Sequence, residues 1–193
     1  MAEPKPGFIF DLDGTLVDTM PSHFVAWTAI ARRHGLQFPE ARFYSLGGVP
    51  TAKIAAMLIA EAGLTLDPVA VALEKEQAYY DSLAAGAGIQ PIAVVMEIAR
   101  RHRSEGPLAI ASGSVRRLVT RTLDTLGIAD WFDAVVAAED TARHKPEPDV
   151  FLEAARRLGV DPAHCTVYED TDIGLEAARR AGMKAVDVRP LIR

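Results

Sequence analysis

The chain has 193 residues, 49% of them apolar, with 26 acidic against 21 basic side chains and a formal charge of −5. A chain this long buries ~70% of its unfolded surface, so disorder is excluded for the whole. The acidic balance, without any run of five basic residues, argues against a nucleic-acid partner.

Cys165 is the single cysteine, which rules out an intrachain disulfide and a thiolate zinc cluster and fits a reducing cytoplasm. The N-terminal residues lead into only Phe8-Ile9-Phe10 before Asp11. That run is too short for a signal-peptide core or for the roughly twenty residues of a membrane span, so a soluble, unprocessed, cytoplasmic protein with no membrane partner is expected. Residues 8–12 read as a buried strand that Asp13-Gly14-Thr15 breaks. Helical spacing follows over 21–34, with Phe24, Trp27 and Ala31 on one face and Gly35 as the stop. It recurs over 51–62, with Ile54, Met57 and Leu58 inward and Gly63 as the stop. A third helix opens on Asp67 as cap with Pro68 in its first turn and runs to the break at Gly86-Ala87-Gly88.

After Pro91 a helix to about His102 precedes the short apolar strand 108–111 and a helix carrying Val115, Leu118, Thr122 and Leu126 at helical spacing. The strand-then-helix unit returns as 134–137 before 150–158 and as 165–168 before 173–180, and a last strand covers 184–187. This alternation predicts an α/β fold: a doubly wound parallel-sheet core of residues 1–18 and 89–193, with the all-helical stretch 19–88 inserted. Cys165 reads as an inert core thiol; His34, His102 and His164 read as surface, and Asp172 as a helix cap.

In an open parallel sheet, ligands bind at the carboxyl ends of the strands. Four exits are polar here: Asp11-Leu12-Asp13-Gly14-Thr15, Ser112-Gly113-Ser114, the loop ending in Arg143-His144-Lys145-Pro146, and Glu169-Asp170-Thr171-Asp172. Crowded carboxylates call for a hard divalent cation, Mg²⁺ by default, for which Asp11 and Asp170 suffice while Glu169 stands behind them. Ser112 and the amides after it, Gly113 first, offer hydrogen bonds to phosphate oxygens, and Lys145 offers a point charge. With charge offset in this way, Asp11 can attack phosphorus to form an aspartyl-phosphate, and Asp13 can protonate the leaving oxygen and later take a proton from water. Each feature has a plainer counterpart. Asp and Gly are common turn residues, Ser112 could cap its helix, and Glu169 and Asp170 could serve the dipole of the helix that follows.

These residues, in this order, resemble the four motifs of the haloacid dehalogenase superfamily over essentially the whole chain, and Lys145-Pro146-Glu147-Pro148-Asp149 resembles its lysine motif. The insert resembles the small α-helical cap of the beta-phosphoglucomutase-like subgroup. The resemblance implies Asp11 as nucleophile, Asp13 as acid/base, and Mg²⁺ held by Asp11, the Asp13 carbonyl and Asp170. Within the subgroup, Gly48-Val49-Pro50-Thr51 and the stretch from Ala185 to Arg189 are similar to bacterial phosphatases acting on fructose 1-phosphate and related sugar phosphates. This implies a small phosphorylated substrate and assigns no oligomeric state. Thr51 stands where the sugar-phosphate mutases of the subgroup place an arginine for a second phosphate, though Lys53 could substitute. His23, with Thr19, stands where they place residues that respond to substrate. Gly48 is a turn with room for close approach of substrate. Three other readings remain open: a mutase, a metal-independent haloacid dehalogenase, and a phospho-accepting signalling domain.

Overall fold

The computed structural model describes residues 5–84 and 89–192, which divide into two compact units at the Asp18/Thr19 and Ile89/Gln90 junctions. One unit opens with β1 (Gly7–Phe10) and β2 (Val17–Asp18). The other holds α1 (Met20–His34), α2 (Glu40–Ser45), α3 (Thr51–Glu61) and α4 (Pro68–Ala84). The chain re-enters the first unit as β3 (Gln90–Pro91), α5 (Ala93–His102), β4 (Leu108–Ala111), α6 (Arg116–Leu126) and β5 (Ala134–Val136). It ends with α7 (Asp149–Leu158), β6 (Cys165–Glu169), α8 (Asp172–Arg180), β7 (Lys184–Asp187) and α9 (Arg189–Ile192). The expected break at Gly86-Ala87-Gly88 lies outside the described residues. Among those described, no helix is long and apolar enough to cross a membrane.

The α/β expectation holds: five parallel strands run in the order β5-β4-β1-β6-β7. All four residues of β1 and of β4 are buried, because helices cover both faces of a parallel sheet and leave no polar side. On one face Ile9, Ala111, Val136 and Val167 pack with Phe151 and Ala154 of α7 and Ala177 and Ala178 of α8. On the other, the Phe8 ring stacks on His102 of α5 at 3.7 Å and the Phe10 ring on Tyr168 at 4.7 Å. His102 therefore departs from the surface reading. Its Nδ1 lies 2.7 Å from Glu105 and its Nε2 2.7 Å from the Tyr168 hydroxyl, because the last turn of α5 lies on the sheet.

Two further elements escape periodicity. β2 and β3 pair antiparallel over two residues each, where the helical segment leaves and returns, and α2 is six residues long with only Phe43 buried. Phe43 joins Trp27 and Ile30 of α1, Ile54 and Leu58 of α3 and Val71 of α4 in the separate core of the helical unit. Asp67 does cap, accepting from the Val69 amide at 2.9 Å. Asp172 does not: Thr171 is the N-cap of α8, its hydroxyl accepting from the Gly174 amide at 3.1 Å, while Asp172 pairs with Arg189.

Cys165 is 1% exposed, and burial, with Asp161 nearby, pushes its thiol up to about 11. Since the thiolate is the reactive form, the folded protein at pH 8 is expected to leave an aromatic disulfide reagent unreacted. One thiol per chain is expected to appear in denaturant. Prompt stoichiometric labelling of native protein would contradict the burial.

Candidate active site

The register of the sheet brings the acidic exits together. Phe10 of β1 is paired with Tyr168 of β6 and with Ile110 of β4, so Asp11 leaves the sheet between Glu169-Asp170 on one side and Ala111-Ser112 on the other. The Asp11 amide still donates to the Tyr168 carbonyl at 3.0 Å. Beyond it the chain turns sharply, the amides of Thr15, Leu16 and Val17 all pointing at the Leu12 carbonyl. Gly14 makes this turn with φ +89°, and a Cβ there would lie 2.4 Å from an Asp170 carboxylate oxygen. Only glycine both adopts that backbone and leaves that space. Thr15, fully buried, donates to Asp170 Oδ1 at 2.8 Å and fixes the carboxylate across 155 residues of sequence.

Lys145 reaches the same place from the loop that follows β5. Its ammonium donates to Asp11 Oδ1 and to Glu169 Oε1, each at 2.6 Å, with the Ala111 carbonyl at 3.4 Å and the Phe151 ring below. The other oxygen of Glu169 accepts from the Thr171 amide at 2.6 Å and its hydroxyl at 2.8 Å. Both oxygens of Glu169, which is 1% exposed, are therefore engaged by the protein.

Asp13 is held by the β4 exit. Ser114 Oγ donates to its Oδ2 at 2.7 Å, and Ser112 Oγ stands 3.5 Å from the same atom. The Ser112 hydroxyl accepts from the Ser114 amide at 3.0 Å. The helix expected directly after Ser112 instead begins at Arg116, with Val115 as its N-cap. Ser112 thus organises a turn with half-exposed Gly113 at its centre, and does not cap the helix.

The electrostatics are those of too many acids around one base. Burial pushes the Asp11 carboxyl well above the usual carboxylate range; the Lys145 ammonium opposes this, and Glu169 and Asp170 add to it. Burial, then Glu169, lifts Asp170 to about 6. Burial alone would lower Lys145, but Asp11 and Glu169 outweigh it and hold the ammonium above its ordinary value. Among the described residues no three His, Cys, Asp or Glu side chains form a metal cage. Asp11 and Asp170, close enough for the charge of one to act on the other, are a donor pair that fits a cation needing few protein ligands, with the remaining positions left to other oxygens, as Mg²⁺ prefers.

His23, Gly48 and Thr51 lie in the helical unit. His23 is buried, stacked on Tyr79 at 3.8 Å, with its Nδ1 2.7 Å from the ammonium of Lys75. Gly48 is exposed with φ +78° between α2 and α3, and Thr51 is the first residue of α3. Lys75, 3% exposed, belongs to none of the sequence motifs. Its signal is the spacing Val71, Lys75, Tyr79, which puts a lysine on the buried face of α4. Ser114, Thr15 and Thr171 stand in the motifs without an evident role, because each acts on a partner chosen by the sheet register.

A family model described as haloacid dehalogenase-like hydrolase matches residues 6–182. The chain is 42% identical, over 99% of its length and 100% of the relative's, to a fructose-1-phosphate phosphatase of Escherichia coli (strain K12). It is 33% identical to the beta-phosphoglucomutase of Bacillus subtilis (strain 168), covering 93% of this chain and 81% of that one. Its structure resembles a crystal structure of beta-phosphoglucomutase from Clostridium difficile, with a TM-score of 0.84, 27% identity and coverage of 95% and 84% of the two chains.

Proposed function

Because the chain belongs to the haloacid dehalogenase-like hydrolases, in their beta-phosphoglucomutase-like subgroup, we propose that it hydrolyses small sugar phosphates such as fructose 1-phosphate through an aspartyl-phosphate on Asp11. The observation that carries this is the 2.6 Å contact of Lys145 with both Asp11 and Glu169, beside an Asp13 carboxyl held by Ser114 at 2.7 Å. A nucleophile, a fixed cation and an acid/base stand on adjoining strand exits.

In the first half-reaction an Asp11 oxygen attacks phosphorus, the bond to the sugar oxygen breaks, and Asp13 gives that oxygen its proton. In the second, water attacks the phosphoryl group, Asp13 takes back a proton, and phosphate leaves with the Asp11 carboxylate restored. Lys145 balances charge on the phosphoryl oxygens, and the Ser112 hydroxyl and the Gly113 amide receive the others. Glu169 acts through Lys145. Family membership implies a divalent metal; Asp11, the Asp13 carbonyl and Asp170 would hold Mg²⁺, which supplies Lewis-acid stabilisation of phosphoryl charge. His23, Gly48 and Thr51 are assigned to substrate choice from the helical unit.

Phosphate release over a panel of sugar phosphates tests the reading. Fructose 1-phosphate is expected to be turned over, activity to vanish with a chelator, and Mg²⁺ to restore it. Glucose 6-phosphate formed from beta-glucose 1-phosphate, in place of free phosphate, would convert the assignment to a mutase. No phosphate from any member of the panel would end the reading.

A further inference from the structure

We propose that Gly174 is a positioning residue for catalysis: the missing side chain at the start of α8 is the seat into which the Glu169 carboxylate folds in order to hold Lys145. This rests on the phosphatase reading above and adds a residue to it.

An ideal Cβ at Gly174 would lie 1.9 Å from Glu169 Oε1, 2.0 Å from Cδ and 2.6 Å from Oε2. The whole carboxylate therefore occupies the volume an alanine methyl would take. Backbone conformation does not demand glycine here, since Gly174 is absent from the positive-φ glycines of the chain. It lies in the first turn of an ordinary helix, where alanine is normally preferred. What demands glycine is the neighbour.

That neighbour cannot move without consequence. Glu169 is 1% exposed; one oxygen carries Lys145 at 2.6 Å and the other accepts from the Thr171 amide and hydroxyl. Thr171 is itself the N-cap whose hydroxyl accepts from the Gly174 amide. The N-cap Thr171 thus binds the carboxylate by its amide and hydroxyl, and the first turn of α8 makes room for it by a missing methyl, an arrangement that favours an anion at a helix N-terminus. A methyl at 174 must push the carboxylate off Lys145, which then keeps Asp11 as its one carboxylate partner. Lysine geometry, and with it transition-state charge balance, is lost while the helix is retained.

The experiment compares wild type, Gly174→Ala, Glu169→Asp and the double variant on p-nitrophenyl phosphate with Mg²⁺, alongside thermal melts. Gly174→Ala is expected to lower kcat by on the order of 10²-fold with KM little changed, the scale of a small misplacement in an active site. The side chain in Glu169→Asp is one methylene shorter and withdraws from the new methyl. In that background Gly174→Ala is expected to change kcat by no more than about twofold, the limit of additive behaviour at independent sites. Equal losses in the wild-type and Glu169→Asp backgrounds, or a wild-type kcat in Gly174→Ala, overturn the proposal. If Gly174→Ala does not fold, Glu169→Asp and the double variant decide alone: tolerance of the added methyl in that background supports the seat, and loss of fold or kcat there refutes it. A wild-type protein that turns over nothing refutes the phosphatase reading instead, so the two failures are distinguishable.

Discussion

Asp11→Asn is expected to abolish phosphate release and leave the fold in place. The substitution keeps the side chain's size and its Oδ1, which can still accept from the Lys145 ammonium at the position now 2.6 Å away. It removes the anion that attacks phosphorus. Loss of a covalent nucleophile costs on the order of 10⁴-fold or more in kcat, and no neighbour can replace it: Glu169 is buried with both oxygens engaged, and Asp170 is held by Thr15. The fold should barely register the change, because Lys145 keeps its pair with Glu169. Any loss of ~1 kcal/mol would move the melting point of a chain this size by only about 2–4 °C. Continuous phosphate assay and thermal melts on the same preparation check both halves. Hydrolysis surviving in Asp11→Asn above about a hundredth of wild type, far more than loss of a nucleophile leaves, would mean that water attacks the substrate directly and that Asp11 serves another purpose.

Strands β1, β4 and β5 are legible because each is a short run without a polar side chain, and the exits of β1 and β4 are legible because Asp11 and Ser112 interrupt those runs at once. Strand order is not, since periodicity says that β1 and β6 are strands but not that Phe10 lies against Tyr168. The roles of Thr15, Ser114 and Thr171 follow from that pairing and are hidden with it. Glu169 does leave a trace. With Cys165 and Val167 it continues a period-two row on the buried face of its strand, and a carboxylate at the end of such a row requires a buried cation. Lys145 is that cation, 24 residues earlier in the chain. His102 defeats a sequence reading for the complementary reason: nothing in its helix reveals that Phe8 and Tyr168 will lie beneath the last turn.

Asp13→Asn separates the two half-reactions, and the separation depends on the leaving group. With a sugar phosphate, the departing alkoxide needs a proton as the bond to phosphorus breaks, so both halves slow and kcat falls by ~10²–10⁴-fold, the usual worth of a general acid/base. With p-nitrophenyl phosphate the departing oxygen leaves as a stable anion, and attack by Asp11 no longer needs the proton that Asp13 gave. The second half still needs a base for water. Asn at 13 can accept the Ser114 hydroxyl as Asp13 does at 2.7 Å and so keeps the turn, yet it cannot take a proton. Phosphoryl enzyme is therefore expected to accumulate: a rapid burst of p-nitrophenol near one equivalent per chain, then slow turnover, with an acid-quenched adduct that hydroxylamine removes. Wild type should show neither burst nor adduct at the same concentrations if breakdown keeps pace with formation. A variant that is equally slow in the burst and in steady state, with no trapped phosphate, would assign Asp13 to the first step alone and require another base for the water.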